Sequence, residues 1–274
     1  SSSAASDVYK RQMLDGTEAQ KEAWLPQFCG ETAPAVAVAI TEKRVQYDVR
    51  NLQTTATKDG DNYVLNGVKT LVFNADATDT FLIYANEDGQ TQAFIVPANL
   101  VEIGEREKWM GVKGMPAFSL TLNNITLPAT AKVGGENGIN FNRLLNHSRV
   151  ALAAAAVGMA RASYEYAKDY AKNRVQFGEP VAYRQSIAFM LAEMAIDIDA
   201  ARLMVWEAAW KLDQGEDATA DVTVMKQYVD NMVMSVADRG LQTLGGHGYI
   251  REYPVELWFR NALVFVAFDG LMIA

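Results

Sequence analysis

The sequence predicts an α+β multidomain protein, a β-sandwich or barrel-like middle domain followed by an antiparallel four-helix bundle. Three observations predict it. From about Ala33 to Val133, short runs rich in Val, Ile, Phe, Tyr and Thr alternate with turn signals. Past "KVGGENG" the residues become rich in Ala, Met and Leu, with apolar positions recurring at steps of three and four. The only prolines beyond residue 138, Pro180 and Pro254, punctuate that tract rather than interrupt its helices.

In chain order, "SSSAASDVYKRQ" lacks the apolar stretch of a secretory signal and is set apart, residues 1–12, as an artefactual or disordered tail. Strands are expected at "AVAVAI", "NYVLNGVKTLVF", "TFLIYA", "QAFIVP" and "FSLTLNNITLP", with "KDGDN", "NEDGQ" and "NN" as the turns between. Their regular spacing makes residues 33–133 an all-β module. Residues 134–274 form the helical part, with helices near 138–173, 183–213 and 217–243, and "DQGED" as the solvated connection between the last two. In the second, Ile187, Met190, Leu191, Met194, Ile198, Ala201 and Met204 make one apolar stripe. Pro254 suits a first helical turn and opens a shorter helix to about Ala267. Such helices after a β module suggest a bundle.

Composition narrows the function. A chain of 274 residues, 50% hydrophobic and 21% charged, holds two modest cores. A net charge of −8 gives no electrostatic reason to expect nucleic acid or an anionic membrane surface. The single cysteine, Cys29, excludes an internal disulfide, and His147 and His247 are too few for a metal site, so no metal is expected. "RVALAAAAVGMARA" falls short of the ~20 strongly apolar residues of a membrane span and reads as a buried helix.

Four stretches carry possible chemistry, each with a plain alternative. "LGGHGY" follows a helix, not a strand, so it is no dinucleotide fingerprint. It is either a helix stop or a bed where the backbone comes close to a ligand. In "KNRVQFGEP", Arg174 either answers a helix C-terminus or holds a phosphate. In "LLNHSRVAL", His147 reads as structural, whereas Arg149 on an Ala-rich face needs anionic or carbonyl partners. In "AFDGLMIA", Asp269 before Gly270 is either a turn residue or a base in apolar surroundings.

Taken together and in order, "GTEAQKEAWLP", "AITE", "DGDNYVLNGVKT", "KWMGVKGMP", "RVQFGEP", "LQTLGGHGYIREYPVELWFRNA" and "FDG" resemble the acyl-CoA dehydrogenases. The resemblance implies a helical N-terminal domain, of which residues 13–32 are the remnant, with the natural chain expected to begin near Met13 after a missing part. It implies FAD as cofactor, an acyl-CoA substrate, an electron-transfer flavoprotein as acceptor, a homotetramer or homodimer, and a cytoplasmic or mitochondrial-matrix location. Carried over by position, Arg174, Gln176 and Phe177 resemble the group that reaches the FAD of a neighbouring subunit, Gln242, Gly245 and Gly246 the backbone bed of its pyrophosphate and adenosine side, and Thr41 and Asn74 belong to the flavin-contacting segments. Arg149, Phe268 and Gly270 face substrate, and Asp269 is the base that removes the α-proton.

The chain departs from the family at several of these places. Most members have Glu where Asp269 stands, and a minority have a catalytic Glu where this chain has Ser148. Tyr47 replaces a substrate-contacting Ser. "LVF", with Leu71 and Phe73, replaces the usual Trp-Ile-Thr at the flavin. The resemblance therefore also admits a member that has lost turnover and serves as a scaffold subunit.

Overall fold

The computed structural model describes residues 15–32, 34–44 and 47–268. They divide into two units, one of the described residues up to 108 together with 113–148, the other of 109–112 together with 149–268.

The first unit is built on turn chemistry and alternation. Its helix α1 (Glu18–Trp24) starts at a capping box, in which the Thr17 hydroxyl accepts from the Gln20 backbone N–H and the Gln20 side chain accepts from that of Thr17. Gln20 also donates to the carbonyls of Thr130 and Lys132, at 3.0 and 2.7 Å, which ties the helix to the end of the sheet. The strands are β1 (Val36–Ala39), β2 (Thr55–Asp59), β3 (Asn62–Phe73), β4 (Thr80–Glu87), β5 (Gln90–Pro97), β6 (Glu102–Arg106) and β7 (Ala117–Pro128). Along the sheet the order is β1-β4-β2-β3-β7-β6, with β5 paired to β4. β1 lies parallel to β4, whereas β2–β3, β3–β7, β4–β5 and β6–β7 are antiparallel.

Strand β4 shows why the sheet carries core on both faces. Phe81, Ile83 and Ala85 enter one apolar cluster with Leu65, Phe94 and Leu120, while Leu82 and Tyr84 enter another with Val38, Ala93 and Leu145. Asp88 and Gly89, at φ 49° and 84°, join β4 to β5 by a two-residue turn whose twist matches the strands. The quoted strand runs of the sequence are all present. Two more, β2 and β6, lack a sequence signal because they are mostly or wholly exposed and so carry polar residues.

Helix α2 (Phe141–Asn173) begins in the first unit and continues in the second. It starts at Phe141 rather than 138 because the Asn140 side chain accepts from the Arg143 N–H at 3.1 Å and caps it there. The second unit adds α3 (Gln185–Asp213), α4 (Thr219–Thr243) and α5 (Val255–Ala267). Its core is thin on α2, where Ala153, Ala156, Ala160 and Ala167 are buried, and thicker on α3 and α4, through Met194, Ile198, Val205, Met225, Val229 and Val233. Small residues let the helices approach closely: a Cβ on Gly240 would overlap the Ser163 hydroxyl. Residues 109–112 dock on α5, where the Val112 N–H donates to the Asn261 side chain at 2.8 Å and Arg260 donates to the Met110 carbonyl at 3.0 Å.

Met194 has no exposed surface. Met194→Ala is expected to lower stability by about 2–5 kcal/mol, because the rigid surroundings only partly refill the cavity. Urea unfolding of the purified chain checks it, and a loss under about 1 kcal/mol would contradict this account of the core.

Candidate active site

The turn after α2 is where the second unit departs from ordinary helix packing. β8 (Val175–Gln176) and β9 (Glu179–Pro180) pair across Phe177 and Gly178, which stand at φ 56° and 87°. Both values belong to the same turn type as Asp88–Gly89, but the first place holds a bulky aromatic instead of an Asp. Phe177 is also 93% exposed, so burial gives no reason for it. The Arg184 guanidinium lies over its ring, 5.8 Å from the centroid, and pairs with Glu179 at 3.2 Å.

This hairpin forms one wall of a cleft of about 800 Å³. Arg174, Gln176, Phe177, Gln242, Gly245 and Gly246, more than sixty residues apart at the extremes, all line it. Sequence reasoning missed Tyr170, Arg184, Ser186 and His247, which line it as well. Arg184 had a signal, as a second cation just past "FGEP"; His247 stood inside a quoted motif. His247 is fixed by the Tyr170 hydroxyl, 2.8 Å from Nδ1, and by the Tyr253 ring at 5.1 Å.

The glycines of "LGGHGY" differ in what they do. α4 stops at Thr243, and Gly245 takes the left-handed conformation at φ 58° that ends it. A Cβ built on Gly245 or Gly246 meets nothing within 4 Å, so both open into space, whereas one on Gly248 would overlap the Leu241 carbonyl oxygen. The first two leave room for a ligand against bare backbone, and the third serves packing. Open backbone, the guanidiniums of Arg174 and Arg184, and the exposed Phe177 ring suit a flat, phosphate-bearing group, and FAD is such a group.

A second cleft of the same unit, about 720 Å³, is lined by Arg149, Lys226, Tyr228, Asp230, Asn231 and Phe268 among others. Arg149 and Phe268 are both buried there. The Phe268 ring packs edge-on to Trp109 at 5.7 Å, and the Lys226 ammonium pairs with Asp230 at 2.5 Å. Asp269 and Gly270, like residues 1–14, lie outside the described residues. His147 is half-buried and Ser148 buried at the start of α2.

Thr41 and Asn74 belong to the sheet unit. The Thr41 carbonyl accepts from the Thr70 N–H at 2.9 Å, and Asn74, at φ 53°, donates its N–H to the Pro116 carbonyl at 2.7 Å. Between them Leu71 stands at φ 54° beside a register slip of β3 on β7. The Glu107 carboxylate answers this bend by accepting from the Thr70 hydroxyl and the Leu71 N–H. Beneath lies Lys69, with no exposed surface, donating to the Ile40 carbonyl at 3.1 Å and to Glu42 at 3.0 Å. Burial pushes the Lys69 ammonium down to about 8 against the pull of Glu42. Burial also raises the Glu42 carboxyl, but Lys69 and the N–H groups of Gln53 and Thr54 outweigh it and hold the group below its ordinary value.

Residues 37–125 match the model of the acyl-CoA dehydrogenase middle domain, and residues 138–271 that of the acyl-CoA dehydrogenase C-terminal domain. An acyl-CoA dehydrogenase of Bacillus subtilis is 36% identical over 93% of this chain and 69% of its own. The caffeyl-CoA reductase-Etf complex subunit CarC of Acetobacterium woodii is 34% identical over 94% of this chain and 70% of its own. The solved structure of butyryl-CoA dehydrogenase from Megasphaera elsdenii superposes with a TM-score of 0.87 at 33% identity, covering 98% of this chain and 72% of that one.

The two classes of glycine separate by substitution. Gly248→Ala is expected to cost about 1–3 kcal/mol through overlap with fixed backbone, and Gly246→Ala to stay within about 0.5 kcal/mol. Chemical unfolding of the two variants side by side checks it, and equal losses would remove the distinction.

Proposed function

The chain belongs to the acyl-CoA dehydrogenase family of oxidoreductases, and from that premise we propose that it carries out FAD-dependent α,β-dehydrogenation of an acyl-CoA thioester. The single observation that carries the cofactor part is the convergence of Arg174, Gln176, Phe177, Gln242, Gly245 and Gly246 on one cleft with open backbone. In this reading Arg174, Gln176 and Phe177 reach the FAD of a neighbouring subunit, Gln242, Gly245 and Gly246 bed its pyrophosphate and adenosine side, and Thr41 and Asn74 belong to the flavin-contacting segments of the sheet unit. FAD, when bound, supplies the two-electron acceptor for the substrate's β-hydrogen.

The chain's own residues handle the proton. Asp269 takes the α-proton and becomes a neutral acid, and its own backbone N–H donates to the thioester oxygen on which negative charge develops. Phe268, the preceding residue, is buried against Trp109 and lines the same cleft as Arg149. Burial beside aromatic rings such as Phe268 and Trp109 would raise the basicity of a carboxylate toward the working pH. Arg149 and Gly270 complete the substrate contacts.

An electron-transfer flavoprotein is the proposed electron acceptor. Its support is the Acetobacterium woodii relative, whose name places it in an Etf complex. A bacterial cytoplasm is the proposed setting, in keeping with the bacterial relatives; among the described residues no helix is long and apolar enough to cross a membrane.

A homotetramer or homodimer is supported by α3. Opposite the buried stripe that carries Met194 and Ile198, its outer face exposes Phe189, Ile196, Leu203, Trp206 and Trp210. Four of the five recur every seventh residue, as in a seam between helices. An apolar row of this length on a helix already buried on its other side calls for a covering surface.

Two experiments test the reading. Purified with FAD, the chain is expected to be yellow and to bleach on adding an acyl-CoA, with Asp269→Asn keeping the colour but bleaching on the order of 10²-fold more slowly or worse. Full bleaching by Asp269→Asn would remove the base, and a colourless chain that takes up no FAD would favour the scaffold subunit. Light scattering of Ile196→Glu/Leu203→Glu is expected to show a smaller particle than the unsubstituted chain; an unchanged mass would move the interface elsewhere.

A further inference from the structure

Three consecutive residues just past β1 are tied to β3 by different means. The Ile40 carbonyl takes the Lys69 ammonium, the Thr41 carbonyl takes the Thr70 N–H, and the Glu42 carboxylate takes Lys69. Glu42 reaches further. Its oxygens accept from the N–H groups of Gln53 and Thr54, at 2.7 and 2.8 Å, so one side chain ties residue 42 to the entrance of β2. Arg44 stands nearby, its Nε 3.9 Å from the same carboxylate.

We propose that Glu42 and Lys69 are positioning residues for the cofactor, a buried ion pair that fixes the segment carrying Thr41 against the bend carrying Leu71 and Asn74. The proposal rests on the reading of Thr41 and Asn74 as flavin contacts. Geometry supports the role, because both ends of the pair act on the roots of those two segments. Lys69 is followed at once by Thr70, which holds Thr41, and by the left-handed Leu71.

Energetics agree. Burial lowers Lys69, a cost to the folded chain at neutral pH that is relieved as pH rises, while Glu42, which burial alone would raise, is lowered on balance by Lys69 and two N–H groups, a gain at the other end of the pair, so the pair is not explained by stability alone. A buried pair is weak evidence of stabilisation and is often replaceable by neutral side chains at no loss. What a neutral pair does not reproduce is the attraction that draws the loop root onto β3.

The test is Lys69→Met/Glu42→Gln beside the unsubstituted chain, with Lys69→Met alone as the case of a stranded charge. Tm, FAD affinity by fluorescence titration, the shape of the bound flavin absorption band, and amide exchange at residues 47–54 are measured on each. The double variant is expected to keep a Tm within a few degrees of the unsubstituted chain, while FAD binds at least tenfold more weakly with an altered band and the Gln53 and Thr54 amides exchange faster. Unchanged FAD affinity in a folded double variant would overturn the proposal. If the unsubstituted chain itself takes up no FAD, the flavin reading falls separately. Exchange then decides the positioning role: faster exchange at Gln53 and Thr54 keeps the clamp, and unchanged exchange removes it.

Discussion

An ammonium group with no exposed surface must be answered by an anion and by oriented carbonyls, and Lys69 imposes that requirement at the middle of the longest strand pair. Much of the local sheet geometry follows from meeting it. Glu42, just past β1, turns inward, beside the Thr41 carbonyl that meets the Thr70 N–H, and its carboxylate takes the N–H groups of Gln53 and Thr54. With Lys69 turned inward and Val72 and Phe73 buried as well, β3 cannot alternate regularly, and its register on β7 slips between Lys69 and Val72. Leu71 absorbs the slip in a left-handed conformation, and Glu107 supplies the acceptor for the groups the bend frees. One buried charge thus accounts for a clamp, a bulge and a strained leucine within a few residues of one another.

The helical unit meets its constraint by subtraction. Alanines on α2, Gly240 against Ser163, and Gly248 against the Leu241 carbonyl remove side chains where backbones must approach. Gly245 and Gly246 remove them where nothing of this chain approaches, which is a different use of the same residue type. The hairpin beside them is strained in the opposite way. Asp88–Gly89 shows that the fold makes this turn with ordinary residues, so Phe177 at the equivalent place is no requirement of chain reversal. Strain without a folding reason, next to open backbone and two guanidiniums, is what supports the proposal of a cofactor cleft there.

Periodicity made the long elements legible. The stripe from Ile187 to Met204 and the strand runs around Phe81 and Phe94 are burial patterns, and burial is what residue type reports most directly. β2 and β6 were invisible because exposed strands owe their place to hydrogen bonds with a neighbour, which no single stretch encodes. In the cleft, Arg174 and the glycines could be named from motifs, but Tyr170 and Arg184 enter through the folding of α2 and α3. Nothing in "NGVKT" sets Lys69 apart from an ordinary polar strand position. Its partner lies 27 residues earlier, and only their meeting makes either unusual.

Asp269, the proposed base, raises a question of reach. Asp and Glu differ by only about 0.4 in ordinary pKa, so exchanging one for the other leaves the chemical strength of the base almost unchanged. Reach is what changes, by about one carbon–carbon bond, and a displacement of about 1 Å can cost on the order of 10²-fold when a proton must pass between fixed partners. A shorter base is tolerable only where the substrate's α-carbon sits closer to the backbone of residue 269 than a Glu would require. The described neighbour of the proposed base is Phe268, whose ring is held edge-on by Trp109. In the proposed reading, therefore, the exchange at residue 269 is a question of distance rather than of acid strength.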